Sequence, residues 1–161
     1  MNIFDVHIKN GEVIDGTGAP KFKSDIVIDK GKIIGVFPPE NGDIRDPSEN
    51  HFLSNFRAKH TINAENKIIS PGFIDVHTHD DDNVFLDPSM SSKISQGVTT
   101  CVAGNCGISL APFSYKGEVP APIALLGKSE VFRFPRVSDY KEEFNNKPSS
   151  VNLALLTGHS M

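Results

Sequence analysis

Near its start the chain alternates: Phe4, Val6 and Ile8 are apolar, while Asp5, His7 and Lys9 are polar. A period of two marks a half-buried β-strand. Asn10-Gly11 follows, a dipeptide that favours tight hairpin turns, and Glu12-Val13-Ile14 reads as the returning strand. A second alternating pair, Asp25 to Asp29 and Lys32 to Val36, flanks Lys30-Gly31 and predicts a second hairpin. The opening segment therefore reads as a small antiparallel sheet, closed by a short strand at Ile68-Ile69. Between them, from Pro38 to about Lys59, the residues shift to Pro, Gly, Asn, Asp and Ser without a period, which predicts a surface loop.

Past Ser70-Pro71-Gly72 the pattern changes, and Phe73-Ile74-Asp75-Val76-His77-Thr78-His79 reads as an apolar strand with histidines at its end. Asp87, Pro88, the pair Met90 and Ile94, and Gly97 fit the cap, first turn, apolar face and stop of a short helix. Val98 to Gly104 and Val151 to Thr157 read as two more buried strands. Strands separated by helical or long connections predict a parallel sheet with crossovers, hence an α/β architecture. Residues 1–70 and 71–161 are expected to form separate domains.

Composition narrows the partners. At 161 residues and 38% hydrophobic content the chain suits one ordinary domain or two small ones. A net charge of −4 offers no electrostatic reason to expect nucleic acid or an anionic membrane surface, so a small molecule is the expected partner. The first residues lack a basic segment followed by an apolar stretch, and no apolar run approaches membrane-spanning length. Cys101 and Cys106 are too few for a disulfide framework, and a reducing cytoplasm is the expected compartment. No glycine-rich phosphate loop is present.

In an extended chain, side chains two apart share a face, so His77 and His79 aim at one point with Asp75 behind them. Imidazole is a preferred zinc ligand; the plainer reading is a pair of exposed histidines near a turn. Asp80-Asp81-Asp82 would make the strand's exit anionic and cation-attracting, with Asp82 expected in a solvated loop. Cys106 lies between Gly104 and Gly107, glycines that let the backbone bend and set a thiol in a cleft, where its thiolate can bind zinc. Cys101, between Thr100 and Val102, reads as a buried filler. His159 ends the last strand and is either a pocket residue or a structural histidine. In (β/α) barrels the active site gathers at carboxyl-terminal strand ends, so strand ends carrying His, Cys and His point to one shared pocket. His7, His51 and His60 are expected at the surface.

The stretch Ser70-Pro71-Gly72-Phe73-Ile74-Asp75-Val76-His77-Thr78-His79-Asp80-Asp81 resembles the first barrel strand of the amidohydrolase superfamily. Ser95-Gln96-Gly97-Val98-Thr99-Thr100, followed by Gly104-Asn105-Cys106-Gly107-Ile108-Ser109-Leu110-Ala111-Pro112, resembles more narrowly the N-acyl-D-amino-acid deacylase (D-aminoacylase) family. Asn10 to Gly18 is similar to the start of that family's small β-sandwich.

The resemblance implies a composite β-sandwich in residues 1–70 leading into a TIM-like barrel. Such barrels take about 250 residues, so residues 71–161 have room for about three of eight strands, and an incomplete barrel is expected. It further implies that Cys106 binds the tighter zinc together with histidines from later strands, while His77 and His79 face a second, weaker metal position. Those later histidines, and the late-strand aspartate that acts as general acid and base in the family, are not in this sequence. The implied reaction is zinc-dependent hydrolysis of an N-acyl-D-amino acid to a carboxylate and a D-amino acid. It is expected of the complete protein and not of these residues alone, whose further partner is the C-terminal part of the barrel. Two alternatives stand beside it. One is a hydantoinase-like or dihydroorotase-like cyclic amidohydrolase, which shares the HxH pair but bridges two metals with a carboxylated lysine, and against which the GNCG segment argues. The other is a non-catalytic metal-binding or interaction module.

Overall fold

The computed structural model describes residues 2–37 and 56–160. The chain divides into two compact units, Met1–Pro71 and Gly72–Met161. No helix among the described residues is long and apolar enough to cross a membrane.

The first unit is a sheet built on β1 (Asn2–Val13), with β2 (Phe22–Asp29), β3 (Lys32–Phe37), β4 (Phe56–Asn63) and the short β5 (Ile68–Ile69). Its order is β3-β2-β1-β4, with β5 also paired to β1. The predicted hairpin at Lys30-Gly31 is present, with φ of 50° and 72° at its two central residues, the left-handed pair that a tight turn between twisted strands requires. The sheet is mixed and not antiparallel, because β4 and β5 both run parallel to β1.

No hairpin forms at Asn10-Gly11. β1 runs straight through the dipeptide, and its register against β2 shifts between Ile8 and Gly11. Asn10 does take a left-handed backbone, φ 65°. Its N–H, however, donates to Asp25 Oδ1 at 2.9 Å, and its carboxamide donates to Asn63 Oδ1 at 3.0 Å. Gly11 is buried, and a Cβ there would stand 2.2 Å from Ile69 Cδ1. The dipeptide thus serves as a bulge held by three neighbouring strands, which needs the same backbone freedom as a turn.

β4 was hidden by its composition: Phe56-Arg57-Ala58-Lys59-His60-Thr61-Ile62-Asn63 is weakly apolar, and its first residues fall inside the predicted loop. The rest of that loop, residues 38–55, lies outside the described residues, as does His51. His60 is exposed, as expected. His7 is not a free surface group: Nε2 sits 2.8 Å from Oδ2 of the buried Asp25. Val13, Ile26, Val27 and Ala64 are buried in this unit.

In the second unit, β6 (Phe73–Asp75), β7 (Val98–Ala103) and β10 (Asn152–Leu155) form the predicted parallel sheet, in the order β10-β7-β6. Cys101 stands at its centre opposite Asp75 on one side and Leu153 on the other, and is fully buried. Between β6 and β7 come two short helices, α1 (Asn83–Leu86) and α2 (Ser91–Ile94). The segment between β7 and β10 carries a two-stranded ribbon of β8 (Phe113–Ser114) and β9 (Arg133–Phe134), two 3-10 turns, and α3 (Val137–Asn146).

The helix predicted from Asp87 is displaced: Asp87 closes α1, and Met90, at φ 46°, precedes α2. Gly97, at φ 79°, does end the turn. Met90 is fully buried while Ile94 is 41% exposed, so they do not share a face. A tertiary contact accounts for the delay, since the Pro88 carbonyl accepts the N–H of Ser150 from before β10 at 2.7 Å.

Val84, Met90, Ile108, Leu110, Phe132, Phe134, Tyr140 and Val151 make the core of this unit. Arg133 lies over the Phe134 ring at 4.4 Å. Tyr140 is buried and donates its hydroxyl to the Asp81 carbonyl at 2.6 Å. Burial pushes its phenol well above the ordinary value of 10.0. Above about pH 10 the unfolded chain therefore ionises a group that the folded chain keeps neutral, and stability falls as pH rises further. Tyr140→Phe is expected to flatten that alkaline decline while costing about 1 kcal/mol at neutral pH for the lost hydrogen bond. Urea unfolding of both proteins between neutral and strongly alkaline pH checks it; parallel declines would exclude Tyr140 as the source.

Candidate metal centre

Because β6, β7 and β10 run parallel, the segments that follow them leave from the same end of the sheet. Those segments carry His77 and His79, Cys106, and His159.

After β6 the chain stays tethered to β7 through Thr78, whose N–H and Oγ1 both donate to the Val102 carbonyl, at 3.0 and 3.1 Å. Thr78 is buried, and the two histidines beside it are left more open. Their ring centroids are 5.9 Å apart, edge to face.

After β7 the chain turns back sharply, with positive φ at Gly104 (79°), Cys106 (57°) and Gly107 (77°). A left-handed backbone at a residue with a side chain costs on the order of 1–3 kcal/mol and persists where neighbours hold it. Here the Ile108 N–H donates to the Asn105 carbonyl, and the Ser160 N–H donates to the Gly107 carbonyl at 2.9 Å. The turn leaves Cys106 exposed, with Sγ 3.1 Å from His77 Nε2. One donor atom each from His77, His79 and Cys106 lies within 4.8 Å of the other two. His79 Nδ1 is buried and has no hydrogen-bond partner among the described residues.

His159 is not part of this trio. It is exposed, and its ring rests on Gly107, where a Cβ would meet His159 Cε1 at 2.8 Å. It therefore borders the cysteine turn without adding a donor atom to the group.

The open, cation-attracting exit expected of the three aspartates does not form: Asp81 and Asp82 are buried and Asp80 is half-buried. Asp80 lies 3.0 Å from Lys93 Nζ. Asp81 is fully buried, its Oδ2 accepts the Gly104 N–H at 3.3 Å, and burial pushes its carboxyl up from the usual range. Asp82, expected in solvent, is buried and lies 3.3 Å from the Arg133 guanidinium. Each of these partners comes from a segment that only the fold brings close.

Lys93 was not singled out in the sequence. From α2 it reaches Asp75 Oδ2 at 2.8 Å as well as Asp80, so one ammonium bridges both ends of the segment that holds the histidines. These two carboxylates hold the Lys93 ammonium well above its ordinary pKa, and Lys93 in turn holds the Asp75 carboxyl below the usual range. A signal existed: Lys93 is the one Lys or Arg between Lys67 and Lys116, a stretch with five aspartates. Lys93→Met keeps the aliphatic stem and removes the charge. Allowing for partial exposure, it is expected to cost about 1–2 kcal/mol, measured as a lower urea midpoint. An unchanged midpoint would show that the bridge contributes nothing.

Residues 60–161, more than half of the chain, match the amidohydrolase family. The chain belongs to that family. Within it, the chain is 39% identical over 158 residues to a D-aminoacylase of Alcaligenes xylosoxydans xylosoxydans, covering 98% of this chain and 29% of the relative. It superposes on the crystal structure of a D-aminoacylase with a TM-score of 0.84 and 43% identity, over 98% of this chain and 30% of the other. An N-acyl-D-glutamate deacylase from Bordetella bronchiseptica, solved with zinc and a phosphonate inhibitor, aligns with a TM-score of 0.81 and 38% identity, over 97% and 30%. The chain thus spans less than a third of the length of these amidohydrolases.

Proposed function

We propose that this chain contributes the first metal ligands and the first barrel strands of a metal-dependent N-acyl-D-amino-acid deacylase. The observation that carries the reading is the convergence of His77, His79 and Cys106 within 4.8 Å, in a chain 39% identical to a D-aminoacylase. Two imidazoles and a thiol are donors that zinc takes readily. His79 Nδ1 is buried with no hydrogen-bond partner among the described residues, so a ligand from outside this span, a metal ion among them, would satisfy it. On this reading Met1–Pro71 is part of a small β-sandwich. Gly72–Met161 is the opening of a (β/α) barrel, and the remaining strands come from chain that the relatives possess beyond this span. A reducing cytoplasm, which keeps Cys106 a thiol, suits such a ligand set.

A metal ion held by such ligands supplies Lewis-acid polarisation of a carbonyl and activation of water. The chain's own residues supply placement. His77 and Cys106 are exposed and so open to a substrate, while Thr78, Lys93 and the Gly104–Gly107 turn hold them in place. The substrate would be an N-acyl-D-amino acid, cleaved to a carboxylate and a D-amino acid.

The test is to load the full-length protein with zinc and assay N-acyl-D-amino acids, their L counterparts and cyclic ureides side by side. Zinc-dependent turnover of the D series is expected, with none from residues 1–161 alone. Turnover of cyclic ureides with none of the D series would reverse the assignment in favour of a hydantoinase-like reaction.

A further inference from the structure

The two ligand-bearing segments follow different strands, and the cysteine turn contains residues whose backbone preferences do not hold it: two glycines and a cysteine at positive φ. Something else must set the distance between histidines and thiol. Resting on the metal reading above, we infer that the Asn105 carboxamide is a positioning residue that fixes this distance.

Asn105 immediately precedes Cys106. Its Nδ2 donates at 2.8 Å to the Val102 carbonyl near the end of β7, and at 3.3 Å to the carbonyl of Thr78, the residue between His77 and His79. One planar group thereby ties the β7 backbone, the midpoint of the histidine pair and the neighbour of the thiol. Thr78 reinforces the arrangement by donating its own N–H and hydroxyl to the same Val102 carbonyl.

The other contacts at these segments act differently: the Ile108 and Ser160 N–H groups hold the cysteine turn itself, and the 3.1 Å approach of His77 Nε2 to Cys106 Sγ is the distance to be set. Lys93 braces the histidine segment alone, through Asp75 and Asp80. Asp81 does join the two segments, but through the Gly104 N–H at 3.3 Å, two residues beyond His79 and two before Cys106. The chemistry at position 105 is also demanding. Two acceptors require a group with two donor hydrogens at this short reach; aspartate has the same shape and no N–H, and serine has a single hydrogen.

The experiment uses Co²⁺ as the probe in the full-length protein, because a thiolate-to-cobalt charge-transfer band reports the Cys106–metal bond itself. In the unsubstituted protein the band is expected, and Cys106→Ala should abolish it. Asn105→Asp and Asn105→Ala should retain the circular dichroism of the folded chain yet bind Co²⁺ roughly ten- to a hundredfold more weakly, as loss of an outer support does, with a shifted or weakened band. Wild-type affinity and an unchanged band in Asn105→Ala would overturn the inference. So would unfolding of Asn105→Ala, since the carboxamide would then be a general folding element. If the unsubstituted protein gives no Cys106-dependent band, the metal reading itself fails and the inference falls with it, a result distinct from a band that ignores position 105.

Discussion

Cys106→Ala is expected to weaken zinc binding by the full-length protein by more than the roughly 10–100-fold that loss of an outer-shell support costs, because it deletes a donor atom outright. The thiol is exposed and 3.1 Å from His77 Nε2, so its removal empties one corner of the trio and opens no cavity in the core. Folding stability without metal should therefore change little. Cys101→Ala is the contrasting control: Cys101 is fully buried at the centre of the parallel sheet. Its loss should cost about 1 kcal/mol of stability and leave zinc affinity intact. Competition against a chromophoric chelator measures the affinities, and urea unfolding measures the stabilities. Equal zinc affinity in Cys106→Ala and the unsubstituted protein would remove the thiol from the site.

Gly104→Ala should produce the largest loss of stability. Its φ of 79° disfavours any side chain, and a Cβ would stand 2.1 Å from the Leu156 carbonyl oxygen and 2.8 Å from its carbon. Backbone cannot swing aside as a side-chain tip can, and Leu156 is itself held by its N–H to the Ala103 carbonyl at 2.9 Å. The left-handed backbone contributes about 1 kcal/mol and the overlap more, for a total of about 3 kcal/mol. The Cys106 turn begins at this residue, so metal affinity should fall as well. Gly18→Ala separates the two effects, since Gly18 has φ 85° with nothing within 4 Å of its would-be Cβ. It should show the backbone cost alone. A Gly104→Ala protein no less stable than Gly18→Ala would mean that the turn does not lie against Leu156 as closely as described.

These expectations rest on a fold that the sequence revealed unevenly. β6, β7 and β10 were legible as short apolar runs between breakers, with Gly97 and Gly104 supplying the breaks, but the burial expected of them holds only at Cys101 and Ala103 of β7; β6 and β10 are exposed or half-buried. β4 was not, because its alternation lacks apolar contrast and its place in the sheet comes from pairing with β1, far away in sequence. The Asn10-Gly11 dipeptide was legible as backbone freedom but not as a bulge. Turn and bulge need the same local geometry, and the choice was made by Asp25, Asn63 and Ile69.

The candidate site divides in the same way. Residue identity and spacing alone pointed to the side chains that could carry the chemistry, two imidazoles two apart and a thiol beside glycines that let the chain turn, although β6 ends at Asp75 and the histidines do not lie on a strand as the spacing suggested. Identity and spacing also determined the family, through motifs that are properties of the chain and not of its packing. Only the tertiary structure decided that His77 and Cys106, 29 residues apart, come within 3.1 Å, and that His159 stays outside the trio, over Gly107. It also decided that Asp82, expected in a solvated loop, is buried against Arg133, and that Asp80 and Asp81, expected at a cation-attracting exit, are taken up by Lys93 and the Gly104 N–H. The reason is physical: a local pattern sets what a side chain can do, whereas burial and pairing depend on which distant segment the fold lays beside it.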